Sequence, residues 1–178
     1  MTSLTIVEQG PADLLAYGSV PIVFTVTERW RVGPVDRPYV KDYDAIAGNR
    51  PTDWPRRFDL SNWRLAAAFL WRTRVAGAAL ALGNIELDSA AEPDDAVLWD
   101  LRVHPDRRGQ GAGRQLLAWV ERVARATGRV RLLAETQDVN AAACRFYAAN
   151  GFTCLGIEPG AYPELSSEAR VVWAKRLA

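Results

Sequence analysis

Apolar positions in the first third of the chain come in short bursts. Residues 2–8 (TSLTIVE) read as a strand, GPADLLAYG as a helix opened by Pro11, and 22–32 (IVFTVTERWRV) as a strand rich in β-branched residues. The pattern then dissolves. Residues 33–63 hold prolines at 34, 38, 51 and 55 and no steady period, so the segment reads as irregular. A structureless stretch of this length inside a compact domain is either functional or disordered. Its aromatics, Tyr39, Tyr43, Trp54, Phe58 and Trp63, argue against disorder.

Periodicity returns with WRLAAAFLW and VAGAALALG, which flank the polar RTR as a hairpin would. AAEPDD (90–95) reads as a loop and AVLWDLRV (96–103) as a strand. Over 114–127, Leu116, Leu117, Val120, Val123 and Ala124 share one helical face, and Gly128 supplies the stop. VRLLAET is another strand. Residues 140–150 form a second helix between Asn140 as N-cap and Gly151 at its C-terminal end. GFTCLGI and ARVVWAKRL close the chain as strands. This order predicts one α/β domain over residues 1–178, with helices packed on a sheet.

Composition narrows the function classes. A net charge of +1 gives no support to a nucleic-acid footprint. No 18-residue apolar run suggests a membrane span, and MTSLTIVEQG lacks the pattern of a signal peptide, so a cytoplasmic protein is expected. Cys144, Cys154 and the single histidine, His104, are too few for a structural zinc site, and no metal is expected. His104 stands at a strand end before Pro105, a position suited to capping.

The stretch WDLRVHPDRRGQGAGRQLL (99–117) carries the chemistry. Gly109, Gly111 and Gly113 separate a strand from a helix, and Arg107 and Arg108 stand beside them. Glycines there let backbone approach a ligand, and the helix's first amides attract anions. A glycine-rich turn with two solvated arginines is the plain alternative. The loop lacks the Gly-Lys-Ser/Thr ending of a P-loop and the acidic residue of a dinucleotide fold.

Arg108-Gly109-Gln110-Gly111-Ala112-Gly113, the preceding LRVHP, and the downstream Asn140, Ala143, Phe146-Tyr147 and Gly151-Phe152 resemble the two conserved segments of the GCN5-related N-acetyltransferases (GNAT). AVLWDLRVHP, LAETQDVNAAACRFYAANG, FDLSNWRLAAAF and RPYVKDYD are further similar to segments of streptothricin acetyltransferases within that family. The resemblance implies a central, mostly antiparallel sheet, helices on both faces and a splayed strand pair that binds acyl-CoA. It implies acetyl-CoA as cosubstrate, held by Leu101, Arg102 and Val103 through backbone groups, by the loop Arg108, Gly109, Gln110, Gly111, Ala112 and Gly113, and by Asn140, Ala143 and Tyr147. Tyr147 is placed like the family's general acid. Asp100, which interrupts an apolar strand, and Glu135 are the available carboxylates. Each can serve as base through a water or bind a cationic acceptor. A polycationic antibiotic calls for carboxylates and aromatic faces. The segment 33–63 offers Tyr39, Asp42, Tyr43, Asp44, Trp54 and Trp63. Tyr39, Asp42 and Trp63 are taken as acceptor contacts together with Trp99, Asp100 and Glu135. The expected reaction is transfer of acetyl to a primary amine of a cationic small molecule, streptothricin first. Another metabolite amine, a protein or peptide amine, and a non-catalytic acyl-CoA sensor are the alternatives. A homodimer is compatible with this reading.

Overall fold

The computed structural model describes residues 4–83, 92–165 and 167–177. Strand β1 (Leu4–Gln9) leads through a 3-10 turn into the short helix α1 (Leu14–Tyr17). Strands β2 (Val23–Arg29) and β3 (Gly33–Asp42) follow, then two 3-10 turns at Tyr43–Ala45 and Pro51–Arg56. Next come β4 (Trp63–Leu70), β5 (Thr73–Ala81), β6 (Asp95–Val103), α2 (Ala112–Ala126), β7 (Arg131–Gln137), α3 (Ala141–Ala149), β8 (Thr153–Pro159) and β9 (Ala169–Arg176). The main sheet has the order β1-β4-β5-β6-β7-β9-β8. Its pairs are antiparallel except β6–β7, which is parallel because α2 carries the chain back across the sheet.

Strands β4 and β5 are alanine-rich and buried on both faces, which is why they show no polar alternation. One face packs against α2 and α3 through Leu80, Leu116, Val120 and Tyr147. The other packs against α1 and the 51–56 turn through Tyr17, Trp54 and Trp63. Leu80, Leu116 and Val120 have no exposed surface, and burial of such side chains contributes roughly 1.5–3 kcal/mol each. Gly77 lets Tyr17 lie against the sheet: a Cβ there would stand 2.6 Å from the ring.

The helical face expected on α2 is present, with Trp119 buried in addition. Asn140 caps α3 by accepting the Ala143 N–H at 3.1 Å, and Gly128 and Gly151 both adopt positive φ where the helices stop. Residues 90 and 91 of the expected loop lie outside the described residues.

The expectation of an irregular 33–63 segment fails over its first ten residues. Gly33–Asp42 is strand β3, paired with β2 in a separate ribbon. A two-stranded ribbon needs only one edge of each strand, so prolines are tolerated. Pro38 falls where the register breaks between Val26↔Tyr39 and Glu28↔Pro34. Contacts with the sheet's far side anchor the ribbon. Arg29 pairs with Asp138 at 2.6 Å, Lys41 with Glu168 at 2.5 Å, and Trp30 packs on Trp173.

Candidate active site

The β6–β7 ladder runs from Asp95↔Arg131 to Leu98↔Ala134 and ends there, although both strands continue. Beyond this point the two strands no longer pair with each other. A bulge sits at the same level. Ala79 opposes Asp100 while Leu80 opposes Leu98, leaving Trp99 as the extra residue. The bulge puts two consecutive side chains on one face. Trp99 joins Phe58 and Trp63, and Asp100 meets Tyr17, while Leu98 and Leu101 pack on the opposite side.

Two clefts open from the fork. The first, of about 510 Å³, runs along the glycine loop. Gly109 (φ 74°) and Gly111 (φ 88°) line it in a conformation that disfavours other residues, and nothing lies within 4 Å of where their Cβ atoms would be. Gly111 is the N-cap of α2, so that helix's first amides border the cleft. Arg107, Arg108 and Arg114 line it too. Arg108 also ties β6 to β2, donating to the Val103 carbonyl at 3.1 Å and the Val23 carbonyl at 2.8 Å; burial lowers its pKa. Gly113 lies where a Cβ would touch Phe146 at 3.4 Å. Ala112 is buried beneath the loop. Gln110, expected at the cofactor, does not line the cleft; its side chain donates to the Asp106 carbonyl instead. His104 takes the capping position expected of it, accepting the Asp106 N–H through Nδ1.

The second cleft, of about 420 Å³, is acidic. Asp44, Asp100, Glu135 and Glu164 line it, against Arg57 and Arg102. Trp54, Trp99, Tyr43 and Tyr162 supply aromatic surface. Glu135 accepts a 2.7 Å hydrogen bond from the Tyr162 hydroxyl. Burial, then the charge of Glu135, holds the Tyr162 phenol protonated well above its usual range. Asp100 is heavily engaged, accepting from Tyr17 at 2.7 Å and from Arg102 at 2.9 and 2.8 Å. Burial disfavours charge on Arg102, but Asp100, Tyr17 and Asp44 more than offset it and raise its pKa above the ordinary arginine value.

Six residues, Ile22, Leu101, Arg102, Asn140, Ala143 and Tyr147, line both clefts. Tyr147 stands at this neck, buried against Phe152 and Trp173. Burial, followed by the nearby Asp100 and Cys144, pushes its pKa above the usual tyrosine value, so the phenol keeps its proton at neutral pH. A neutral hydroxyl between a cleft with anion-attracting backbone and an acidic cleft is suited to giving a proton.

The structure brings together Tyr147, Leu101, Arg102, Asn140 and Ala143 at the neck, Val103, Arg108, Gly109, Gly111, Ala112 and Gly113 along the loop cleft, and Trp99, Asp100 and Glu135 in the acidic cleft. Three expected acceptor contacts need correction, for none lines that cleft. Tyr39 lies on β3 and is 41% exposed. Asp42 is spent on the next turn, accepting the Asp44 N–H. Trp63 is buried beneath Trp54 and Trp99. The sequence pattern does not single out Tyr162, whose local signal is an aromatic between Pro159 and Pro163, or Arg114, which it assigns to the start of the helix. The 3-10 turn after β3 selects Asp44 over Asp42, a distinction that no hydrophobic pattern carries.

The model of the acetyltransferase (GNAT) family matches residues 37–152. A streptothricin acetyltransferase of Escherichia coli is 33% identical over 95 residues, a match that takes in 52% of this chain and about half, 54%, of the relative. Among solved structures, a nourseothricin acetyltransferase superposes with a TM-score of 0.78 at 22% identity, over 99% of this chain and 100% of the other. A Bacillus anthracis protein provisionally assigned as a streptothricin acetyltransferase, solved in complex with acetyl coenzyme A, gives 0.78 at 24% identity over 99% of both chains. At these identities the two structures speak for the fold.

Proposed function

The chain belongs to the acetyltransferase (GNAT) family, and from that premise we propose that it transfers acetyl from acetyl-CoA to a primary amine of a cationic small molecule, a streptothricin-type antibiotic first among them. The observation that carries this reading is the neck at Tyr147, where the glycine-loop cleft and the acidic cleft meet.

The loop cleft fits a pyrophosphate-bearing thioester. Gly109 and Gly111 leave open space beside their backbone, α2 contributes its first amides, and Arg107, Arg108 and Arg114 contribute charge. The edge of β6 that leaves the β7 ladder after Leu98 suits hydrogen bonds of the kind a further strand would use. When bound, acetyl-CoA supplies an acetyl thioester, whose C–S bond breaks as the acceptor nitrogen bonds to the carbonyl carbon. Tyr147 holds a proton at its phenolic oxygen and gives it to the departing sulfur. Glu135, oriented by Tyr162, draws in the ammonium and accepts one proton from it, directly or through a water, so that the neutral amine attacks; the second proton that nitrogen loses as the amide forms restores the one Tyr147 gives up. Asp100 supports the site electrostatically, because three hydrogen bonds already engage its oxygens.

The acidic cleft has walls on both sides, from the 43–57 segment and from residues 161–165, and such enclosure favours a small molecule over a protein chain. The 33% identity to a streptothricin acetyltransferase supports that acceptor among cationic amines. The test is release of free thiol from acetyl-CoA across streptothricin, aminoglycosides, polyamines and peptides. Turnover highest with streptothricin is expected. Turnover of a peptide or neutral metabolite amine, with none of streptothricin, would overturn the acceptor assignment and leave acetyl transfer.

A further inference from the structure

Arg102 uses all five of its N–H groups. Nε and Nη2 donate to Asp100 at 2.9 and 2.8 Å, Nη1 and Nη2 to Asp44 at 3.0 and 3.2 Å, and Nη1 also to the Val20 carbonyl at 3.1 Å. The guanidinium is 1% exposed. Asp100 is its neighbour on β6, but Asp44 comes from the turn that opens the 43–57 wall of the acidic cleft. Within that wall Arg50 donates to the Asp44 carbonyl, and the Trp54 indole N–H to the Asn49 carbonyl. A buried ion pair is weak evidence for stability, because desolvation offsets attraction. Two forked carboxylates on one planar guanidinium do fix direction. Here they fix an acceptor wall relative to the strand that borders both clefts.

We propose that Asp44 is a positioning residue, latching the 43–57 wall to β6 through Arg102 so that the acceptor is held in register with the thioester. The proposal rests on the amine-acetyltransfer reading. Asp44 acts through Arg102 and sets acceptor affinity, whereas the chemistry at Tyr147 and the loop cleft stay as they are.

Asp44→Asn keeps the shape and removes the charge. The KM for the acceptor should rise about tenfold or more, with kcat within about threefold and acetyl-CoA affinity by calorimetry within about twofold of wild type. The rise should be equal for acceptors bearing one or two cationic groups. A rise confined to dicationic acceptors would make Asp44 a direct ligand and overturn the latch. Tryptic cleavage at Arg56 and Arg57 of the unliganded protein, measured well below its melting temperature, should accelerate. This arm needs no acceptor, so it separates failure of the latch from failure of the proposed function. Unaltered cleavage would overturn the proposal, as would an unchanged acceptor KM. Loss of the fold in Asp44→Asn, with Asp44→Ala behaving alike, would make the pair a folding requirement and end it too.

Discussion

The hydroxyl of Tyr17 donates to Oδ1 of Asp100 at 2.7 Å, joining the first helix to the sixth strand. Tyr17 is fully buried, and its ring rests where the Cβ of residue 77 would otherwise be. Gly77→Ala should therefore displace the ring as well as crowd the core. A loss of about 1–3 kcal/mol is expected, as for other overpacked sites, and is read by denaturant or thermal unfolding. Unchanged stability would mean that the ring moves freely.

Gly111 holds φ at 88° with open space beside it. Gly111→Glu puts a strained backbone and a negative charge at the start of α2. Acetyl-CoA affinity should fall about tenfold or more by calorimetry, since the same dipole that attracts phosphate meets a carboxylate instead. Wild-type affinity in this variant would remove the loop from cofactor binding.

Tyr147→Phe removes one oxygen from a ring already packed against Phe152 and Trp173. The fold and acetyl-CoA affinity should hold, while kcat falls roughly ten- to a thousandfold. Burial raises the phenol's pKa, so the protonated acid persists as pH rises through neutrality. Loss of activity from its ionisation belongs above about pH 10, the ordinary tyrosine range. A basic limb near pH 8 that vanished in Tyr147→Phe would contradict this ordering.

The two candidate carboxylates separate by what happens on neutralising them. Asp100→Asn leaves Arg102 with one charged partner in a buried site. About 1–3 kcal/mol of stability should be lost, with the acceptor KM raised indirectly. Glu135→Gln should melt near wild type, yet lose about a hundredfold or more in kcat/KM, the general base's usual share. Unfolding curves and steady-state rates on both variants decide it. The reverse pattern would move the base to Asp100.

Much of this was legible in the sequence, and the failures share a cause. Periodicity located α2 because Leu116, Leu117, Val120 and Ala124 recur at helical spacing, and Asn140 announced α3 because a cap is a local device. The loop glycines were legible for the same reason: positive φ is a property of one residue. Strand β3 was hidden because Pro34 and Pro38 disrupt local pattern, and only pairing with β2 makes them tolerable. The roles of Asp44 and Tyr162 were hidden because their partners, Arg102 and Glu135, are 58 and 27 residues away. Asp100 stood out as polar in an apolar strand, but the bond from Tyr17 that occupies it arises only when the chain closes.

The shared neck at Leu101, Ala143 and Tyr147 has a consequence for inhibition. The two chambers share lining residues, so on the proposed reading one molecule in which the coenzyme sulfur is joined to the acceptor nitrogen by a short bridge should occupy both. Once its first half is seated, the second meets its chamber at an effective concentration on the order of millimolar, and the affinities of the halves combine. The gain of such a conjugate over its separate halves measures how well the protein has aligned the chambers before either is filled.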